Sequence, residues 1–250
     1  DMVRHVTSLQ HELVKHLIKL RQNHDYRVDH QSLIIDGIKP ITELGRSLKP
    51  KVIVAWDETL IPEGINADDV VIVNESVMKK ISGMATPEGL LAEIPMPKPS
   101  SFKDKRYIVA LDKVGDPGNV GTIIRTALAL GWEGVFVLDE SCDPFNEKAL
   151  RAARGATFRL PLAWGSWNDL KKIIQDNKLD GVVADLEGSK LQDVKFKNGI
   201  CLVLSNEAQG ASKEAKKLCQ PVTIDMAGDM ESLNVAVAGG ILMHALKSGF

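Results

Sequence analysis

Short runs of β-branched and leucine residues alternate with helix-like segments along most of this sequence, and this alternation restricts the fold more than any other feature. From Arg106 onward the candidate strands are 107–111, 134–138, 180–184, 200–204 and 221–225. The helix-like segments that separate or follow them lie near 119–130, 147–153, 167–176 and 232–247. Continuously apolar strands joined by helices indicate a parallel sheet that is covered on both faces. We therefore predict an α/β fold for this part of the chain.

The front of the chain carries a shorter series of the same kind. Residues 8–24 place Leu9, Leu13, Leu17 and Leu20 on one stripe of a predicted helix, with His11, Lys15 and Lys19 opposite. Candidate strands follow at 33–36, 52–56, 70–73 and 89–94, with helix-like segments near 39–45 and 75–81. Residues 94–105 then contain three prolines and two serines with little periodicity, which predicts a linker.

Charge is distributed unevenly although its sum is small. The 250 residues contain 31 Lys and Arg against 33 Asp and Glu, a formal net charge of −2. Residues 1–51 contain 9 basic against 6 acidic side chains and five of the six histidines, whereas residues 52–97 contain 2 against 8. A polyanionic partner would therefore meet a local basic face on the first helix rather than a broad positive field.

Composition excludes several classes of protein. With 44% hydrophobic and 26% charged residues, the chain is neither disordered nor fibrous. The three cysteines, Cys142, Cys201 and Cys219, are odd in number and widely spaced, which excludes a disulfide framework and favours a reducing compartment: cytoplasm, mitochondrion or plastid. No apolar run reaches the roughly 18 residues of a membrane span. The opening Asp1-Met2 lacks signal-peptide features and suggests a trimmed start.

Familiar motifs are absent or fail on geometry. His11 and His16 of HELVKH are five positions apart, about 140° around a helix, so they cannot share a metal ion, and we predict no metal site. No strand is followed by GxGxxG, and GxxxxGK[ST] and GxSxG do not occur. VVADLEG at 182–188 weakly resembles a ribose-binding acidic site, although an ordinary strand-to-loop turn is the favoured interpretation.

Three segments of the second half contain more polar residues than packing requires, and each one follows or ends a predicted strand. They are 116–131 (DPGNVGTIIRTALALG), 202–212 (LVLSNEAQGAS) and 224–246, which begins IDMAGDMESLN. Together they present Asn119, Arg125, Asn206, Glu207, Ser232 and Asn234. Helix capping or solvation would explain several of these singly. Because carboxyl ends of parallel strands meet at one edge of a sheet, we predict that they form a single site.

Glycines within these segments predict close packing. Gly121 would allow another backbone or a ligand to approach the first helix of the series. Gly239-Gly240 would cost the last helix up to about 1 kcal/mol per glycine relative to alanine, so we expect a compensating close contact there.

The three segments resemble, in order, the motifs of the SpoU (TrmH-like) family of RNA 2′-O-ribose methyltransferases, which belongs to the SPOUT class. More loosely, 13–37 and 86–94 are similar to the ribosomal-protein-like α/β/α RNA-binding domain found in many members. The resemblance implies an RNA substrate-binding domain over 1–97, a linker over 98–105, and a trefoil-knotted, parallel-sheet catalytic domain over 106–250.

The resemblance also implies S-adenosylmethionine as methyl donor, RNA as partner, and roles for matching residues. Its catalytic positions correspond to Asn119, Arg125, Glu207, Ser232 and Asn234. Its donor-binding positions, several of which act through main-chain groups, correspond to Ser205, Asn206, Gly210, Ile224, Met226 and Leu233. We expect RNA contacts from His11, Lys15, Lys19 and Arg27. The class further implies a homodimer with the last helix in the interface, and neither a metal nor a membrane partner.

Arg125 has two possible roles. Family accounts make this arginine the base, but a guanidinium with a pKa above about 12 is a poor one. We favour bidentate binding of a neighbouring phosphate, which would orient the ribose hydroxyl and lower the activation barrier for its methylation.

The RNA species stays open, with ribosomal RNA favoured over transfer RNA because of the front domain. The family usually has glycine where this chain has Ser205 and Ala208. That departure motivates one alternative, a catalytically silent RNA-binding or ribosome-assembly factor of the same fold. The other alternative is an unrelated α/β enzyme for a small nucleotide, without RNA affinity. For RNA we expect few phosphate contacts and a shallow salt dependence.

Overall fold

The computed structural model describes residues 3–206 and 208–248, and the chain divides into two compact units. The first unit contains the residues up to 97 together with 145–147, and the second contains 98–144 and the residues from 148 onward. Each unit is built around its own sheet.

The first unit is a five-stranded sheet with four α-helices. The strands are β1 (Arg4–Val6), β2 (Ser32–Asp36), β3 (Val52–Ala55), β4 (Asp69–Val73) and β5 (Leu90–Pro95). The helices are α1 (Glu12–Gln22), α2 (His24–His30), α3 (Ile38–Leu44) and α4 (Glu75–Ser82), with a 3₁₀ helix at Glu58–Leu60. The sheet order is β1-β4-β3-β5-β2, in which β4 is parallel to β1 and β3, whereas β5 is antiparallel to β3 and β2.

The second unit is a six-stranded, wholly parallel sheet with helices. Its strands are β6 (Tyr107–Asp112), β7 (Gly134–Leu138), β8 (Leu162–Gly165), β9 (Asp180–Lys190), β10 (Ile200–Ser205) and β11 (Gln220–Thr223). The helices are α5 (Pro117–Ala129), α6 (Glu147–Ala153), α7 (Trp167–Asp176), α8 (Lys213–Leu218) and α9 (Val235–Ser248), with 3₁₀ helices at Ala156–Phe158 and Leu191–Asp193. The strand order is β11-β9-β10-β6-β7-β8. The predicted α/β fold with a parallel sheet is confirmed.

The first helix differs from its sequence prediction at the front end. It begins at Glu12 rather than Ser8, because the His11 side chain accepts a hydrogen bond from the backbone N–H of Leu13 and caps it. Leu9 lies outside the helix and is 41% exposed, whereas Val14, which the leucine stripe omitted, is buried with Leu17 and Leu20. The helix therefore packs by a face rotated from the predicted one.

The caps of two helices lie next to predicted site residues. Asp116, not Asn119, caps α5, since its carboxylate accepts the backbone N–H of Asn119 at 2.9 Å. The last helix begins at Val235, and Asn234 rather than Ser232 accepts its first free N–H groups, from Ala236 and Val237.

Gly239 and Gly240 of the last helix differ in what they contact. A Cβ on Gly239 would lie 2.6 Å from Cδ1 of Leu204 on β10, so this glycine permits close packing of α9 on the sheet. A Cβ on Gly240 would make only an ordinary 3.6 Å contact with Thr126. The predicted close contact is thus found at Gly239.

Within 3–206 and 208–248, no helix is both long enough and apolar enough to cross a lipid bilayer.

Candidate active site

A cavity of about 320 Å³ lies at the carboxyl ends of β9, β10 and β11. This is the edge at which open α/β sheets bind ligands. All six sequence-predicted donor-binding residues line it: Ser205, Asn206, Gly210, Ile224, Met226 and Leu233. Ser232 lines it too, whereas Asn119, Arg125 and Asn234 are not part of its wall. Glu207, the remaining predicted site residue, lies outside the described part of the chain.

Asn119 and Asn234, which are 115 positions apart in sequence, are joined directly. Nδ2 of Asn234 donates to Oδ1 of Asn119 at 3.0 Å. The amide orientation of Asn234 follows from its oxygen, which accepts the N–H groups of Ala236 and Val237 at 2.8 and 3.2 Å. Among the described residues, Nδ2 of Asn119 has no acceptor, so it can donate to a bound molecule.

Arg125 is exposed on α5, whereas Ile124 and Ala127 of the same helix are buried. It follows Asn119 by six residues, which places it about 9 Å along the helix axis and about 120° around it. No hydrogen bond or ion pair joins Arg125 to another residue within 3–206 and 208–248. The guanidinium therefore has its five donors available to a ligand.

Two buried polar groups lie at the carboxyl ends of neighbouring strands. Ser205 on β10 is in register with Asp112 on β6. Ser205 Oγ and Asp112 Oδ2 are both buried without a hydrogen-bond partner among the described residues. Such unpartnered groups are costly in a folded protein, and they often mark a ligand site.

Burial raises the pKa of Asp112, whose side chain is 2% exposed, and the charges of Glu214 and Glu140 raise it further. The Ser212 hydroxyl and Lys113 act in the opposite direction. A carboxyl whose pKa is higher in the folded state stabilises the fold below its ordinary pKa, and this contribution is lost as pH rises through the folded value.

We therefore expect Asp112→Asn to be more stable than wild type at pH 7, with the difference shrinking as the pH approaches 4. Urea unfolding of both proteins between pH 4 and pH 8 measures this. Gln175→Ala, an exposed and uncharged substitution on α7, is the control and should show no such trend. An Asp112→Asn protein that unfolds more readily than wild type at pH 7 would contradict the expectation.

Two cysteines of the second unit are structural. Cys201 and Cys219 lie in the apolar core, and burial, followed by the charge of Asp112, raises the pKa of Cys219 to about 12. A thiol of that pKa is protonated at neutral pH and is not a nucleophile.

The predicted RNA-contacting residues of the first unit do not all reach the surface. Lys15 and Lys19 are exposed on α1, and His11 is partly exposed while capping that helix. Arg27 is 3% exposed, and its Nη1 donates to the carbonyls of Leu20 and Arg21 at 2.9 and 3.0 Å. The prediction for Arg27 is therefore wrong: it ties α2 to the end of α1 and is too deeply buried to contact RNA.

Sequence reasoning missed an aromatic pair beside these lysines. The rings of Tyr26 and His30 stack at 3.9 Å, and Lys19 lies 5.7 Å from the centre of the tyrosine ring. His16 fixes the tyrosine, because its two nitrogens bond Tyr26 Oη at 2.7 Å and the buried Glu93 at 2.8 Å. The four-residue spacing of Tyr26 and His30 on a helix was the available signal.

Within the described ranges, no group of three or more His, Cys, Asp and Glu side chains is placed to bind a metal ion.

The fold and the cavity together define an α/β enzyme domain with a ligand site at the carboxyl edge of a parallel sheet, joined to a smaller α/β unit. The sequence model of the SpoU rRNA Methylase family matches residues 106–244, and that of the MRM3-like substrate binding domain matches residues 11–92. The chain belongs to the SpoU rRNA Methylase family, which confirms the resemblance seen in its three motifs.

Relatives and solved structures agree over nearly the whole chain. The 23S rRNA (guanosine(2553)-2′-O)-methyltransferase RlmP of Bacillus subtilis (strain 168) is 29% identical over 98% of this chain and 100% of its own length. The AdoMet-bound rRNA methyltransferase from Sinorhizobium meliloti superposes with a TM-score of 0.87 at 29% identity, covering 98% of both chains. A second crystal structure of rRNA methyltransferase from Sinorhizobium meliloti gives a TM-score of 0.85 at 30% identity, covering 99% of this chain and 98% of the other.

Proposed function

We propose that this protein transfers a methyl group from S-adenosylmethionine to a ribose 2′-hydroxyl of ribosomal RNA. The observation that carries the proposal is the cavity whose wall is built from the second and third motifs, beside the joined pair Asn119 and Asn234. Family membership and the ribosomal RNA named for the Bacillus subtilis relative support it.

The residues present fit the methyl donor. Ser205 stands where the family usually has glycine, yet the cavity keeps about 320 Å³ with Ser205 in its wall. The Oγ of Ser205 is itself buried, so the hydroxyl does not project into the cavity. Ala208 is exposed, and its backbone N–H donates to Asn206 at 2.8 Å without narrowing the cavity. These observations favour an active enzyme over a silent factor of the same fold.

S-adenosylmethionine supplies a methyl group already activated on a sulfonium, with a neutral thioether as the leaving group. The protein must therefore chiefly align the accepting oxygen and assist loss of its proton. We assign the free Nδ2 of Asn119, held by Asn234, to a hydrogen bond with the substrate ribose. We assign Arg125 to bidentate binding of the neighbouring phosphate. Ser232 and Glu207 complete the predicted set, and no step requires a metal.

Because Arg125 is about 9 Å along α5 and about 120° around it from Asn119 of its own chain, we infer a homodimer in which each site draws on both copies. The last helix supports this inference. One face of α9 packs closely on Leu204 at Gly239, whereas Val237 and Ile241 are 52% and 42% exposed. An outward apolar pair on a packed helix is typical of an interface. We also expect the trefoil knot of the SPOUT class in the second unit.

The dimer is tested by sedimentation velocity at micromolar concentration. We expect the mass of two chains, and Ile241→Glu should shift the population toward monomer by placing a charge in the interface. Lys172→Glu, an exposed charge reversal on α7, should leave the dimer intact. A monomeric wild type would exclude the shared site.

In the first unit we propose that Lys15 and Lys19 contact RNA phosphates and that the stacked pair Tyr26 and His30 receives an unpaired base. Exposed lysines beside an aromatic platform are typical of single-stranded RNA binding.

Lys15→Ala with Lys19→Ala should weaken RNA binding several-fold and lower the magnitude of the log–log salt slope by about 2, one per phosphate contact. Filter binding to ribosomal RNA from about 50 to about 300 mM salt, over which the electrostatic screening length falls to less than half, measures both effects. Lys79→Ala with Lys80→Ala, on α4 of the same unit, removes the same charge and should change neither. An unchanged slope in the first variant would place the phosphate contacts elsewhere.

The function as a whole is tested by methyl transfer from labelled donor to total RNA from cells that lack this enzyme, followed by mapping of the 2′-O-methyl position. Label in one ribosomal RNA nucleotide supports the proposal. Label in transfer RNA would show that transfer RNA is the substrate instead. Calorimetry with S-adenosylhomocysteine distinguishes an active methyltransferase, which binds this ligand, from a catalytically silent factor, which would not.

A further inference from the structure

We propose that Asp185 binds the ribose diol of the methyl donor. The inference rests on the proposed function, because it names a further contact in the same cavity. The aspartate of VVADLEG was favoured as an ordinary turn residue on sequence alone, and the structure gives it a different setting.

Asp185 lies in an irregular part of β9 that forms one wall of the cavity. The strand pairs with β11 through Val183 and resumes that pairing at Ser189, so the five residues between them loop out of the ladder. Four of the five, 184–187, line the cavity. Gly188 allows β9 to approach β11 again, since a Cβ at this position would lie 2.6 Å from backbone atoms of Pro221 and Val222. Irregularities of this kind redirect side chains beside functional sites.

The carboxylate of Asp185 is partly desolvated and has unused acceptor capacity. Its side chain is 13% exposed, whereas Glu187, the other acidic residue of the wall, is exposed. Oδ1 accepts the backbone N–H of Glu187 at 3.1 Å. Oδ2 is 3.6 Å from Nζ of Lys216, which is an ion-pair distance but too long for a hydrogen bond. A carboxylate provides about four lone-pair positions, so acceptors remain for two hydroxyl groups.

The neighbouring charge favours a neutral diol over an ammonium group. Lys216 also lines the cavity and compensates the charge of Asp185. An ammonium from the amino-acid part of the donor would be repelled by this lysine, whereas ribose hydroxyls would not. Asp185 follows Val183, at which the regular pairing of β9 with β10 ends. A carboxylate that accepts from ribose hydroxyls beside a parallel sheet is also found in other nucleotide-binding α/β folds.

The test compares two ligands that share adenine and ribose but differ at the other end. S-adenosylhomocysteine retains the amino-acid group, and 5′-methylthioadenosine lacks it. Dissociation constants are measured for wild type, Asp185→Asn and the exposed control Asp176→Asn, by calorimetry for the first ligand and by displacement of labelled S-adenosylhomocysteine for the second. We expect Asp185→Asn to weaken both ligands by a similar factor of about ten, the value of one charge-assisted hydrogen bond, and the control to weaken neither.

Each outcome decides the assignment. Unchanged binding of S-adenosylhomocysteine by Asp185→Asn would overturn it, and so would a loss confined to that ligand, which would place Asp185 at the amino-acid group. With the donor concentration varied, methyl transfer by the variant should show an unchanged kcat and a raised KM for the donor. A fall in kcat with an unchanged KM would also contradict the role. If wild type bound neither ligand, the proposed function itself would fail, which is a separate result.

Discussion

Arg125→Ala is expected to reduce methyl transfer by about 10²- to 10³-fold while leaving the affinity for S-adenosylhomocysteine unchanged. The guanidinium is exposed, does not line the cavity and has no partner in the described ranges, so its removal should disturb neither the fold nor the donor. What is lost is the group that positions the phosphate next to the reacting hydroxyl, and small misplacements of a reacting atom are costly.

Arg125→Lys distinguishes positioning from simple charge. Lysine keeps the positive charge but not the planar fork that binds two phosphate oxygens, so we expect activity between those of wild type and Arg125→Ala. Single-turnover transfer to a ribosomal RNA fragment measures the rate, and Arg159→Ala, another exposed arginine of the second unit, is the control. Full activity in Arg125→Lys would exclude the bidentate role.

The hydrophobic pattern of the sequence was sufficient to predict those strands and helices that have a clear local periodicity. The apolar runs of β6, β7 and β10 and the helices α6 and α7 were placed within one or two residues of their observed bounds, because continuous β-branched strands and amphipathic helices have different periods. The short edge strands β1 and β8 were missed, because three or four residues contain too little pattern to identify a strand.

Tertiary contacts explain what the sequence could not supply. Arg27 is a basic residue in a basic segment, which predicts an RNA contact. In the structure its guanidinium is buried and donates to backbone carbonyl groups at the end of α1. Asp185 stands in a loop that exists only because β9 pairs with β11 on both sides of it. Asn119 and Asn234 belong to motifs at opposite ends of the second unit, and the sheet edge alone brings them together. Motif order indicated that the site exists, but not which side chains touch.

Gly121 provides the largest expected effect on stability. A Cβ at this position of α5 would overlap the carbonyl oxygen of Ala149 and lie 2.7 Å from Cβ of Ala152 and 2.8 Å from the nitrogen of Ala153. The obstacles are mainly backbone of α6, which cannot move as a side-chain tip can. Helix propensity alone predicts that Gly121→Ala stabilises α5 by up to about 1 kcal/mol. Overpacking should reverse the sign and leave a net loss of about 2 kcal/mol.

The measurement is urea unfolding followed by tryptophan fluorescence, because three of the four tryptophans, Trp132, Trp164 and Trp167, belong to the second unit. Gly115→Ala is the matched control, because a Cβ there has no atom within 4 Å and the residue is outside the helix. We expect the control to stay within about 0.5 kcal/mol of wild type. A stabilised Gly121→Ala protein would mean that α6 can move away from α5 without cost. In that case close packing would not be the reason for a glycine two residues after Asn119.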